Sequence, residues 1–163
     1  KVKNLDDKTM FFFFFFHPAC AINLKENKYR LEFDEKEENA KFYQLDNGLI
    51  SYKNNYINKS IMSNDKSISI GKDTFTHDAI IMGNLKSKKI RLIENNNTRL
   101  VLDFTGFKYL GIWSKKNAPF ICIEPWYTTA DYTDSNSIFE EKKDNIKLEE
   151  NEEFECSYSI TFE

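Results

Sequence analysis

The sequence predicts an all-β fold, an antiparallel sandwich of stacked sheets, and three observations carry that expectation. Tyr29-Arg-Leu-Glu-Phe33 and the stretch from Phe154 to Glu163 alternate apolar with polar residues, as a half-buried strand must when successive side chains point to opposite faces. Short strand-like runs recur at near-regular spacing with turn residues between them, the pattern of a sandwich or barrel. No amphipathic helical period of useful length interrupts them. Runs that are apolar on both faces, above all Phe120-Ile-Cys-Ile123, favour stacked sheets over a barrel.

The elements follow in order. Lys1 to Thr9 alternates weakly and leads through Met10 into six consecutive phenylalanines, Phe11 to Phe16, before His17-Pro18. Aromatic runs favour strands, and an exposed one would seed aggregation, so a strand buried on both faces is predicted here. Pro18 holds the backbone of His17 extended. Tyr29 to Phe33 is a strand and Asp34 to Asn39 a charged loop; Lys41 to Leu45 and Leu49 to Lys53 are strands about the turn Asp46-Asn-Gly48. Asn54 to Lys66 reads as a long polar connection, and Ser67 to Ile70 as a short strand. From Asp73 to Met82 a polar turn delivers His77 and Asp78 to an apolar strand. Lys88 to Glu94 and Thr98 to Phe104 flank Asn95-Asn-Asn97 as a hairpin, with Leu100, Leu102 and Phe104 on one face. Lys108 to Trp113 is the next strand, and Thr128 to Asp144 is a polar, acidic loop. Phe154, Cys156, Tyr158, Ile160 and Phe162 mark one face of a last, uninterrupted strand.

The chain is organised around Ala118-Pro-Phe-Ile-Cys-Ile-Glu-Pro-Trp-Tyr127. The doubly apolar run ends in Glu124, and Pro125 is expected to stop the strand because it has no N–H for the ladder. Period 2 places Glu124 on the face of Phe120 and Cys122, where desolvation favours the neutral acid unless polar partners hold the charge. A carboxylate at a strand mouth beside Trp126 and Tyr127 suits a sugar. A strand-end Glu facing solvent is the plainer alternative, and the pattern alone leaves both open.

Length and composition bound the rest. The 163 residues fit one domain, 1–163. The first residue is Lys1 rather than Met, which points to a fragment, a processed chain or a numbering that omits an N-terminal part. A net charge of -3, from 23 basic and 26 acidic residues without a basic stripe, argues against a nucleic-acid partner. Cys20, Cys122 and Cys156 are odd in number and widely spaced, so they read as buried thiols of a reducing compartment. Met10 to Phe16 is far shorter than the roughly 20 residues a membrane helix needs, and it lacks a signal-peptide cleavage pattern. A soluble, cytoplasmic protein with no membrane partner is expected, its oligomeric state left open.

Candidate chemistry is confined to His17, His77, Asp78 and Glu124, each at the edge of a strand. Only the fold can join His17 to Glu124, given their separation along the chain. Two histidines without ligand spacing give no metal pattern. A Gly-x-Ser-x-Gly elbow is absent, and the five glycines are scattered singly and form no phosphate loop. For either histidine the plainer reading is a satisfied structural residue. Trp126 or Trp113 offers an apolar platform for a sugar ring, although core packing would use either as well.

Val2-Lys-Asn-Leu-Asp-Asp-Lys-Thr-Met10, His17-Pro-Ala19, Asp78-Ala-Ile-Ile81, Leu110-Gly-Ile-Trp-Ser114 and Ala118 to Tyr127 resemble the aldose 1-epimerase (galactose mutarotase-like) family. Within it, the LacX-type bacterial branch is the most similar. The likeness spans nearly the whole chain, is most specific from Leu110 to Tyr127, and corresponds to the C-terminal portion of the family's domain, a large antiparallel sandwich. It implies that His17 is the general acid toward the ring oxygen and Glu124 the general base toward the anomeric hydroxyl. It further implies that Asp78 binds sugar hydroxyls and that the chemistry needs no cofactor. His77 receives no role. Relatives carry a mixed, glycine-containing stretch in place of Phe11 to Phe16, and Cys20-Ala21 stands where Phe-Asn is expected. Bulky Phe15 and Phe16 would crowd the floor of a sugar site. The family's N-terminal strands, which add binding side chains including an Arg or His, have no counterpart here, so the domain is expected to be incomplete at its N-terminus.

The resemblance thus implies an isomerase that interconverts the α and β anomers of a hexose by acid/base ring opening, with a small-molecule sugar as substrate. A non-catalytic carbohydrate-binding protein on the same sandwich is one alternative, since fold does not fix function. A hexose-6-phosphate 1-epimerase is another; it would want an arginine cluster, and Arg30, Arg91 and Arg99 are scattered. A third is a fragment that acts only when joined to missing strands.

Overall fold

Two tight turns show how local chemistry sets strand order. At Asn47-Gly48 both residues have positive φ (51° and 84°), and Asp46 pairs with Leu49. At Asn95-Asn96 φ is 49° and 67°, and Glu94 pairs with Asn97. Paired positive φ is what a two-residue hairpin needs to match the strand twist, and Asn and Gly tolerate it. The predicted Asn95-Asn-Asn97 turn is therefore one residue shorter, with Asn97 already in its strand.

A computed structural model describes residues 1–51 and 57–163. Its first six-stranded sheet runs β16 (Ser159–Phe162), β11 (Asn97–Asp103), β10 (Lys89–Glu94), β4 (Tyr29–Phe33), β8 (Ser67–Ile70), β7 (Met62–Ser63). The second runs β3 (Ala19–Ala21), β13 (Phe120–Trp126), β12 (Tyr109–Trp113), β9 (Ile80–Gly83), β5 (Lys41–Asp46), β6 (Leu49–Ser51). Two small sheets pair β1 (Val2–Lys3) with β15 (Glu153–Phe154), and β2 (Met10–Phe12) with β14 (Ile146–Leu148). All of these pairings are antiparallel. The end of the strand predicted over Leu49 to Lys53, with the start of the Asn54 to Lys66 connection, lies outside the described residues.

Leu31, Phe33, Ile68, Ile90, Leu92, Leu100 and Leu102 of the first sheet meet Ile80, Met82, Leu110, Ile112, Ile121 and Ile123 of the second in one buried cluster. Strands of the first sheet alternate because their other face is wet. The second sheet is covered on both sides: Ile50, Ala79, Ile81 and Tyr132 form a separate cluster on its outer face, joined by Trp113 and Trp126. Its strands β9, β12 and β13 are accordingly apolar almost throughout. The loop from Thr128 to Asp144 helps make this cover, because Tyr132 bridges Ile50 and both Thr128 and Thr129 are buried.

Four expectations need correction. Phe11 to Phe16 is not one buried strand: only Phe11 and Phe12 lie in β2, and Phe13 and Phe15 are 49% and 44% exposed. The period of 2 survives in the side chains, since Phe14 and Phe16 pack on the main core while Phe13 and Phe15 turn outward. The last strand is split into β15 and β16 because its two ends pair with different partners, β1 and β11, and Phe162 at the sheet edge is 75% exposed. Pro125 does not stop β13; it pairs with Leu110 inside the strand. Flanking hydrogen bonds, Ile123 N–H to Pro18 O and Phe16 N–H to Pro125 O, show that position 125 faces the 14–18 segment, so the missing N–H costs nothing in the β12 ladder. Of the thiols, Cys122 is buried, whereas Cys20 and Cys156 are half-buried; all are free.

The charged loop after β4 also hides a structural carboxylate. Glu37 is 1% exposed, and its two oxygens accept the backbone N–H groups of Lys86 (2.8 Å) and Ser87 (2.7 Å), tying that loop to the segment before β10. Among the described residues no helix is long and apolar enough to cross a membrane.

Candidate functional site

Residues 14–18 run antiparallel along β13, continuing the β3 pairing. Ala19 pairs with Cys122 and Phe15 bridges Trp126, so in the same register His17 stands opposite Glu124. The hydrogen bonds on either side of that position, at Phe16/Pro125 (2.9 Å) and Pro18/Ile123 (3.3 Å), make it a non-hydrogen-bonded pair, in which facing side chains approach most closely. Three pairs thus stack on the outer face of the second sheet: Phe15 with Trp126, His17 with Glu124, and Ala19 with Cys122.

His17 Nδ1 is 3.3 Å from Glu124 Oε1, with the histidine side chain 50% exposed and the glutamate 4%. The two groups stand in direct contact. Trp126 Nε1–H donates to Glu124 Oε2 at 3.0 Å. Burial pushes the Glu124 carboxyl above the usual range, while the Trp126 hydrogen bond and the neighbouring His17 pull it back. Burial, with the charge of Glu124, pushes the Cys122 thiol up to about 11.

Gly111 pairs with Glu124 across β12 and explains the hollow there. A Cβ at this position would lie 2.8 Å from the Trp126 ring, so the ring covers the glycine closely. Trp113 closes the far side, its ring 6.3 Å from that of His17. Next to Trp126 opens a cavity of about 390 Å³ walled by Phe13, Phe15, Thr128 and Phe139, with the Asp131–Lys142 ion pair (2.7 Å) among its lining. Sequence reasoning missed this pocket because the covering loop carries no periodic signal.

Asp78 precedes β9, which β12 separates from β13. Its φ of 73° is a conformation Asp tolerates, and its Oδ1 accepts the Ala79 N–H at 2.7 Å. His77 is exposed, and its carbonyl accepts from Gln44 Nε2 at 3.2 Å.

Against known proteins, the chain is 32% identical over 170 residues to the chromosomal LacX protein of Lactococcus lactis subsp. lactis, covering 99% of this chain and 56% of that protein. The plasmid LacX protein of the same organism matches to the same extent. The chain is similar to these LacX proteins. It spans about half the length of these relatives, and no family model matches it. Its fold is galactose mutarotase-like. A crystal structure of a galactose mutarotase related enzyme from Lactobacillus acidophilus superposes with a TM-score of 0.82 at 24% identity, over 99% of this chain and 55% of that one. A galactose mutarotase-like protein from Lactobacillus casei gives 0.73 at 22% identity, over 97% and 54%. In this chain, Arg30, Arg91 and Arg99 all belong to the first sheet, on β4, β10 and β11, away from the outer face of the second sheet that carries His17 and Glu124.

Proposed function

We propose that this chain is the C-terminal portion of an aldose 1-epimerase domain that interconverts the α and β anomers of a hexose. The observation that carries this reading is the His17–Glu124 contact at 3.3 Å. The two protons that must move in ring opening belong to the anomeric hydroxyl and the ring oxygen, and both oxygens are bonded to one carbon. An acid and a base standing side by side match that geometry better than two groups a sugar ring apart.

Glu124 as carboxylate takes the proton of the C1 hydroxyl, and its electron pair becomes the aldehyde carbonyl. The C1–O5 bond breaks, and O5 takes a proton from the His17 imidazolium. Rotation about C1–C2 and the reverse transfers close the other anomer. A positioned acid or base contributes about 10² to 10⁴-fold, and a carboxyl whose pKa is raised by burial is a stronger base. Trp126 orients Glu124 through Oε2, and Oε1, beside His17, is the oxygen that takes the proton.

The aromatic pocket beside Trp126 favours a second reading, a carbohydrate-binding protein without turnover, since sugars pack their apolar faces on such rings. The placement of the arginines gives a hexose phosphate no support. The deciding test is the rate at which fresh α-glucose or α-galactose relaxes, followed by polarimetry or NMR with the full-length protein. Acceleration above the spontaneous rate supports the epimerase; saturable binding at the spontaneous rate replaces it with the binding protein.

A further inference from the structure

The same outer-face ladder gathers a third group that the proposed chemistry does not use. Cys122 lies two residues before Glu124 on β13, on its face, and pairs with Ala19, whose side chain is small. One donor atom from each of His17, Cys122 and Glu124 lies within 4.8 Å of the others. Spacing along the sequence could not reveal this set, because His17 reaches it only through strand pairing.

We propose that His17, Cys122 and Glu124 form a binding site for a thiophilic divalent cation such as Zn²⁺, with water as the fourth ligand. Imidazole nitrogen, thiolate and carboxylate oxygen are the donors zinc takes. At bond lengths of about 2.0–2.3 Å, tetrahedral donors stand roughly 3.4–3.6 Å apart. The His17–Glu124 separation of 3.3 Å already fits, and the half-exposed His17 ring is free to close the remaining distance. Charge balances as well: one thiolate, one carboxylate and a neutral imidazole leave a divalent ion with no net charge in a half-buried place. Trp126 holds Oε2, the outer hydrogen bond that fixes a ligating carboxylate. The exposed side of His17 gives water its entry. On binding, the ion displaces the thiol proton and, where His17 enters as imidazolium, the proton of the ligating nitrogen, and both pass to solvent. A cation held by His17 Nδ1 and Glu124 Oε1 takes the two atoms that the proposed proton transfers use, so metal binding and anomer interconversion exclude each other.

The test is optical and stands whether or not the protein turns over sugar. Co²⁺ is titrated into reduced full-length protein, and the thiolate-to-cobalt absorption band is followed, then displaced with Zn²⁺. The expected result is one equivalent bound, a band kept by the Cys20→Ser/Cys156→Ser protein and lost in Cys122→Ser, and affinity at least tenfold weaker in His17→Ala. His17 is half-exposed, so the last variant remains informative if Cys122→Ser does not fold. No saturable Co²⁺ binding, a band that survives Cys122→Ser, or unchanged affinity in His17→Ala would overturn the proposal.

Discussion

Trp126 Nε1–H donates to Glu124 Oε2 across 3.0 Å, two residues along one strand and on one face. The bond is possible because Gly111 opposite leaves room for the indole to lie flat over the sheet. A buried carboxylate thereby gains a charge-assisted donor on one oxygen while the other faces His17, which is how a half-apolar face keeps an acid in a defined orientation.

Replacing that donor isolates its value. Trp126→Phe keeps an aromatic ring but no N–H, and turnover is expected to fall about 10- to 100-fold, in line with roughly 1.5–3 kcal/mol for a hydrogen bond to a charged group. Gly111→Ala should act similarly by pushing the indole off Glu124. Steady-state anomer interconversion, with circular dichroism to verify the fold, checks both; full activity in both variants would remove Trp126 from the mechanism.

Glu124→Gln retains size and hydrogen-bonding reach but cannot accept the proton. The loss expected is about 10² to 10⁴-fold, with sugar binding nearly intact. His17→Asn should lower turnover in the same way, and the double variant should be little worse than either single one, because an acid and base acting as a unit are not additive. Additive losses would show that the two work independently.

Acid should loosen the first sheet. The Lys28 ammonium, with the Tyr29 hydroxyl and Arg99, holds the Glu94 carboxyl below the usual range. Its unfolded value is about 4.3. A depressed folded pKa contributes stability above the unfolded value and loses it as pH falls through the folded one. Thermal melts from pH 7 down to pH 3 should show a decline that Glu94→Gln flattens; an equal decline in the variant would assign it to other carboxyls.

Glu37→Ala leaves two N–H groups, those of Lys86 and Ser87, without their acceptors. Loss of a buried acceptor costs about 1–3 kcal/mol, and the midpoint of urea unfolding should fall accordingly. A change below about 0.5 kcal/mol would mean that the loop relaxes and water takes the place of the carboxylate.

Residue chemistry alone determined the architecture. Alternation at Tyr29 to Phe33, the Asn and Gly turns, and the doubly apolar run from Phe120 to Ile123 each encode a strand or its end through local rules, and local rules are readable without partners. The same period of 2 placed Glu124 on the face of Cys122. What only the tertiary structure decided was who stands opposite whom. His17 meets Glu124 because residues 14–18 zip onto β13 in one register, and a slip of a single residue would turn His17 to the other face. Likewise only the sheet order sets β12 between β13 and β9, the strand that Asp78 precedes. Phe13 and Phe15 face outward although nothing in six identical side chains distinguishes them from Phe14 and Phe16; the choice belongs to the partner strand, since a homopolymer carries no information about its own register. Pairing is a long-range property, and the side-chain pattern of one strand fixes its faces but not the neighbour that will share them.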